Sequence, residues 1–229
     1  MRTLALLLVL FGGAASAQDP PDLPPKTEPF EVGVLRAIYH NENPVFAGTM
    51  RVVNESAYPI YYGASPVLWG GAAALGEDLD PALRLTAAQA VNLGITAVLK
   101  RAINRPRPYT ALADVSARDR HHTGDDIFDP YSFPSGHASS AFVIATSLSL
   151  SYPEWYVIVP SAAWASAMGL TRVWHGVHYP SDVLVGAAIG TASGVAVHFL
   201  MPDVFGDEDP EAVALGAEAV VPIHVVIPL

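Results

Sequence analysis

Residues 155–201 read WYVIVPSAAWASAMGLTRVWHGVHYPSDVLVGAAIGTASGVAVHFLM. Two Ala-rich apolar stretches, 155–173 and 182–201, flank a short polar passage holding Arg172, His175, His178 and Asp182. Neither stretch alternates apolar with polar at every second position, and each is too long for an ordinary strand, so both read as helices. Gly186, Gly190 and Gly194 recur at every fourth residue along one face of the second. Small residues at that spacing let a neighbouring backbone approach closely, which is a packing device and carries no functional weight.

The rest of the chain repeats this pattern. Residues 139–151 and 81–103 are further helix candidates, 31–43 a shorter one, and 58–75 an aromatic, glycine-rich stretch. Sustained strand alternation is met only at 220–227. The expectation is an all-α protein, a compact bundle of about six helices. Residues 1–17 have the form of a signal peptide: Arg2, an apolar run over 4–11, and Ala15-Ser16-Ala17 as the cleavage site. Residues 18–29 carry five prolines and read as an extended leader, with the domain over 30–202 and an acidic linker and apolar tail over 203–229. The chain is therefore expected to be exported to the periplasm.

Of the 229 residues 51% are hydrophobic and 15% charged, the reverse of a disordered composition. The absence of cysteine excludes disulfides, thiolate metal sites and a cysteine nucleophile. A net charge of −10 argues against a nucleic-acid partner. Against that charge, Lys100, Arg101, Arg105, Arg107, Arg118 and Arg120 crowd into 21 positions, and beyond them only Arg172 is basic. An acidic chain that gathers its cations so tightly builds an anion site against its own field. Arg101 and Arg118 are read apart from this, as solvated cations near a helix end.

Three short elements carry chemistry. In Lys100-x6-Arg107-Pro108, the two basic residues stand two helical turns apart, with prolines to end the helix. An ammonium and a guanidinium grip a phosphate in complementary ways. In Pro134-Ser135-Gly136-His137, a Ser-Gly pair opens a helix and offers backbone N–H groups to an anion, with His137 beside it as a proton donor. In Arg172-x5-His178-x3-Asp182, Pro180 starts a helix, so that Asp182 would hold one ring nitrogen of His178 and leave the other free to attack.

Together, in this order and spacing, the three elements resemble the signature of the type-2 phosphatidic acid phosphatase and vanadium haloperoxidase superfamily. The resemblance covers roughly 83–201, with Thr171 where the family often has Ser. It implies a helical bundle of the acid phosphatase type and a hydrolase acting on phosphomonoesters or lipid phosphates and diphosphates. By the same resemblance His178 takes the phosphoryl group as a phosphohistidine, Asp182 supports it and His137 protonates the leaving oxygen. Lys100, Arg107 and Arg172, with Ser135 and the Gly136 N–H, hold the phosphoryl oxygens. No metal is implied, and vanadate is expected as an inhibitor that mimics phosphate.

Two other readings use the same residues: a vanadate-dependent haloperoxidase with His178 on the metal, and a non-catalytic phosphate-binding protein. Retention of His137, His178 and Asp182 speaks against the second, since binding needs only the cations. His121, His122, Asp125 and Asp126 are read as a solvated loop rather than a metal site, and His175 as a support for the site. Tyr58, Tyr61, Tyr62 and Trp69 fit either the lining of a lipid or aryl pocket or the core, and the core is the preferred reading. Turns at 76–81, 152–154 and from 203 lack the positive charge expected of cytoplasmic loops, which favours a soluble or peripheral protein at a membrane surface over an integral one. Substrate identity and oligomeric state leave no readable pattern.

Overall fold

The computed structural model describes residues 30–118 and 130–205. The signal peptide and leader, the 121–126 cluster with Arg120, and the chain beyond 205 lie outside the described residues. Among the described residues there are eight helices and no strand: α1 (Phe30–Tyr39), α2 (Pro44–Glu55), α3 (Ala57–Leu75), α4 (Asp80–Ile103), α5 (Pro108–Ala111), α6 (Gly136–Ser151), α7 (Trp155–Trp174) and α8 (Pro180–Leu200).

The all-α expectation holds, with two more helices than expected. The helix expected over 31–43 stops at Tyr39, because Asn41 Oδ1 accepts the Asn43 N–H and turns the chain. Asn43 then caps α2 by accepting from Val45 and Phe46, with Pro44 as the first helical residue. The other unforeseen helix, α5, is a single turn after Arg107.

The long helices alternate in direction, so that one end of the bundle collects the end of α4, the start of α6, the end of α7 and the start of α8. Thr96 Oγ1 lies 3.2 Å from Ser139 Oγ, joining α4 to α6 near this end. Ser135 N–H donates to the Asp182 carbonyl at 2.9 Å and brings the starts of α6 and α8 together. The glycine row of α8 makes this approach possible. A Cβ on Gly186 would come 2.5 Å from the Ser135 carbonyl oxygen, and one on Gly190 would overlap that of Ser139. A Cβ on Gly194 would meet Thr146 at 3.0 Å.

Packing fills the space between these helices. Leu85, Ala88, Val143 and Ile144 form one buried cluster between α4 and α6, and Ala57, Ala141, Ala145, Ala165 and Met168 another across α3, α6 and α7. Val32, Leu35 and Tyr39 of α1 pack on Val173 and Tyr179 behind the polar passage.

At the far end only Asp203 of the acidic linker's carboxylates lies within the described residues, and it is not free in solvent. Asp203 pairs with Arg84, and the buried Asp80 carboxylate accepts the N–H groups of Val204 and Phe205. The chain thus stays attached to the start of α4 through residue 205.

Candidate active site

Helix α4 ends before Arg107. Asn104 adopts the left-handed conformation at φ 51° and returns its N–H to the Lys100 carbonyl. Lys100 and Arg107 therefore do not share a helix face. Lys100 projects from the last turn of α4 and donates to the Tyr131 carbonyl at 2.9 Å, whereas Arg107 leaves the following loop and is fully buried. That loop is held by an antiparallel bridge between Pro106 and Tyr131 and by Ser132 N–H on the Arg105 carbonyl.

His178 is almost wholly buried at the end of the α7–α8 connection. Its Nδ1 lies 2.6 Å from the Ser132 carbonyl oxygen, so that nitrogen carries the proton and Nε2 keeps its lone pair. Nε2 stands 3.3 Å from Arg107 Nη1, which also donates to the Val177 carbonyl at 3.0 Å. Asp182 was expected to hold the ring. Its Oδ2 is 3.7 Å from Nδ1, beyond a hydrogen bond, and accepts the Tyr179 N–H at 2.8 Å. Asp182 supports His178 by charge, and a backbone carbonyl supplies the hydrogen bond.

Arg172, also fully buried, ends α7 with Nε on Thr171 Oγ1 at 2.9 Å, and its carbonyl accepts the N–H groups of Val177 and His178. Thr171, the departure from the usual serine, is thus a hydroxyl acceptor for that guanidinium. Ser135 caps α6 by accepting the Ala138 N–H. Gly136 and His137, first in the helix, direct their N–H groups out of its positive end. A Cβ on Gly136 would sit 3.9 Å from Lys100 Cε, which places the lysine chain against that helix start.

Beside the end of α4 and the start of α6 lies a cavity of about 790 Å³, lined among others by His137, Gly136, Lys100, Tyr58, Tyr61 and Tyr62; His178, Arg107 and Arg172 are not part of its lining. His137 packs edge-on against Tyr58 and Tyr61, and Tyr61 Oη donates to the His137 carbonyl at 2.8 Å. Tyr58, Tyr61 and Tyr62 thus follow the pocket reading rather than the preferred core one: Tyr61 is shared with the core, while Tyr62 is 75% exposed.

Of the remaining basic residues, Arg101 is a solvated helix-end cation bonded to the Ala97 carbonyl. Arg118 is not; its guanidinium stacks on Tyr39 and Trp174 at 4.2 and 4.6 Å. His175 is buried with Nδ1 2.7 Å from the Thr171 carbonyl, in keeping with a supporting role. Sequence reasoning missed Ser132, whose contribution is a carbonyl that no side-chain pattern reveals. It also missed the partnership of Arg105 with Asp182. Among the described residues no three His, Asp or Glu side chains converge as a metal site requires.

A buried guanidinium against an imidazole nitrogen, a second buried guanidinium nearby, and a lysine and a second histidine at an adjacent cavity make a helical bundle suited to an oxyanion of the phosphate kind. The PAP2 superfamily profile matches residues 81–205, and the chain belongs to that superfamily. Lipid A 1-phosphatase of Rhizobium etli is 37% identical over 102 residues, which cover 41% of this chain and 38% of that protein. The chain thus aligns with less than half of the length of that curated relative. Among solved structures, LpxE of Aquifex aeolicus superposes with a TM-score of 0.59 at 26% identity, over 74% of this chain and 94% of that one. A transmembrane PAP2 type phosphatidylglycerolphosphate phosphatase from Bacillus subtilis gives a TM-score of 0.58 at 24% identity, over 73% and 82%, and shares the fold.

Proposed function

We propose that this protein is a phosphoric ester hydrolase acting on lipid phosphates at a membrane, through a phosphohistidine on His178. The observation that carries the reading is the geometry at His178: Nδ1 is committed to the Ser132 carbonyl, and Nε2 faces the buried Arg107. A nucleophile so held attacks phosphorus in line with the leaving oxygen. The P–O bond breaks as the Nε2–P bond forms, and His137 gives its proton to the departing oxygen. In the second step His137 takes a proton from water, the water oxygen attacks phosphorus, and the P–N bond breaks to release phosphate. Lys100, Arg107, Arg172 and the first N–H groups of α6 compensate the charge on the transferring oxygens, which gives the reaction its electrostatic support without a metal.

The outer faces of the helices support a lipid environment. Leu93, Ile95 and Val98 on α4 and Leu184, Phe199 and Leu200 on α8 are all exposed. Both helices are long and apolar enough to cross a membrane, with only 28% and 22% of their apolar windows buried. The twenty residues of α7 span about 30 Å, a hydrocarbon thickness. They run from the exposed Trp155 and Tyr156 at one end to Arg172 at the site end. These faces favour integral insertion, the alternative to the soluble or peripheral reading, with the site opening at one membrane surface.

The test is phosphate release, with EDTA present, from detergent-dispersed phosphatidic acid and from a soluble aryl phosphate. Turnover of the lipid that vanadate inhibits and His178→Ala abolishes is expected. Turnover of the aryl ester alone would overturn the lipid assignment. Silence on both, with bromide oxidation by peroxide once vanadate is added, would give the site to haloperoxidase chemistry.

A further inference from the structure

The superfamily match starts at residue 81, yet the ion pairs behind His178 reach back to α1. Asp182 Oδ1 accepts from Arg105 Nη1 at 2.6 Å, and Nη2 of the same guanidinium donates to Glu31 Oε1 at 2.5 Å. Ser181 Oγ closes the ring, accepting from Arg105 Nη1 at 2.8 Å and donating to Glu31 Oε2. The guanidinium carbon rests 4.0 Å from the centre of the Tyr179 ring. The Arg105 carbonyl accepts the Ser132 N–H at 2.8 Å, and the Ser132 carbonyl in turn holds His178 Nδ1. Arg105 therefore supports both groups that face that nitrogen, the carboxylate through its side chain and the carbonyl through its backbone.

We infer that Glu31 is a positioning residue for the active site: acting through Arg105, it fixes Asp182 and His178, so that α1 completes the catalytic end of the bundle. The inference rests on the phosphatase reading. A guanidinium is a rigid fork, and a carboxylate on each side sets its orientation. With Glu31 removed, the fork keeps one carboxylate anchor and a charge no longer balanced on its outer side. Asp182 is then drawn towards Arg105, and less of its negative potential reaches the cation that His178 becomes when phosphorylated. The other charged groups near His178 are Arg107 from the α4–α5 loop and Arg172 from α7. Glu31 and Arg105 side chains are 29% and 24% exposed, so solvent screens the effect in part and it stays well short of the loss of the nucleophile itself.

Steady-state hydrolysis of detergent-dispersed phosphatidic acid by the full chain tests this. Glu31→Ala is expected to lower kcat about tenfold, roughly 1.4 kcal/mol in the barrier, with KM unchanged. Glu31→Gln, which keeps the oxygen acceptor, should recover part of the loss. Arg105→Lys should behave like Glu31→Ala, because an ammonium cannot bridge two carboxylates in fixed geometry. Asp114→Asn is the control. It breaks the Arg36–Asp114 pair that also ties α1 to the body, at 2.7 Å, and should leave kcat intact. An active wild type matched by Glu31→Ala would overturn the inference, as would an equal loss in Asp114→Asn, which would make Glu31 a mere anchor for α1. A wild type that releases no phosphate from any ester overturns the phosphatase reading itself, and this one with it.

Discussion

The Ser132 carbonyl oxygen lies 2.6 Å from His178 Nδ1, closer by more than an ångström than the Asp182 carboxylate at 3.7 Å. In a triad where the acid alone accepts the ring proton, replacing it by the amide costs about 10⁴ in kcat, because the imidazole takes the wrong tautomer. Here the carbonyl sets the tautomer. Asp182→Asn is therefore expected to lower kcat by only about 10–100-fold, as for other groups that orient a ligand from behind. His178→Ala should remove turnover by several orders of magnitude. Rates for the two variants side by side check this; equal losses would return the tautomer to Asp182.

The close approach of α6 and α8 gives a second expectation. Gly190→Ala places a methyl onto the Ser139 carbonyl, a backbone atom that cannot swing aside, so the two helices must separate. Overpacking of this kind costs about 1–3 kcal/mol. The same separation moves Ser135 from the Asp182 carbonyl and loosens the cradle. Gly194→Ala meets only side-chain atoms, of Thr146 and Ser147, and should cost less. Thermal unfolding and kcat, measured for both variants, should rank Gly190→Ala as the worse on each.

Much of this was legible because helices and helix-borne motifs leave periodic, local signals. The glycine row of α8 and the order of the Lys100, Pro134 and Arg172 elements needed no long-range information. What stayed hidden depended on contacts across the chain. Ser132 acts through a carbonyl, which every residue has. Arg105 stood in the cation cluster, but its partners Glu31 and Asp182 lie 74 and 77 residues away. For Tyr62 the core was preferred over a pocket without a deciding signal, because an aromatic residue on an apolar helix is the same pattern whether it meets protein, lipid or a cavity. The proposed membrane insertion was hard to read for the same reason, with far-end turns carrying Glu77, Asp78 and Glu154 where cations would be expected. The start of α2 was signalled by Asn43-Pro44, a cap and first-turn pair that the apolar periodicity of α1 overshadowed.

The tether of α1 should respond to acid. Arg36 donates two hydrogen bonds to Asp114, and this pairing pulls the Asp114 carboxyl down to about 2. A carboxyl depressed in the folded state stabilises it above the ordinary pKa of about 4 and loses that contribution as pH falls towards 2. Acid titration followed by protease sensitivity of α1 should show wild type loosening across that window. Asp114→Asn should lack the step. The exposed position of Asp114 makes the effect salt-sensitive, and added salt should shrink the difference between the two proteins.

Burial separates the roles of the cations. Arg107 is wholly enclosed and lies 3.3 Å from His178 Nε2, so on the proposed mechanism it would meet the phosphoryl group where charge develops during transfer. Lys100 lines the open cavity beside Gly136, and on the same mechanism it would hold the phosphate oxygens from that open side, in the bound ester as much as during transfer. Arg107→Lys keeps the charge but gives up the fork that bridges the Val177 carbonyl and the reacting centre. It is expected to lower kcat by about 10²–10³, the usual cost of one transition-state donor. Lys100→Gln removes charge from the mouth of the site and should act mainly on KM. Michaelis kinetics with the lipid phosphate at two ionic strengths distinguishes them. A KM effect confined to Lys100→Gln should diminish in salt, and the kcat effect of Arg107→Lys should not. A KM-only effect for Arg107→Lys would mean that this guanidinium binds the ground state and leaves the transition state to others.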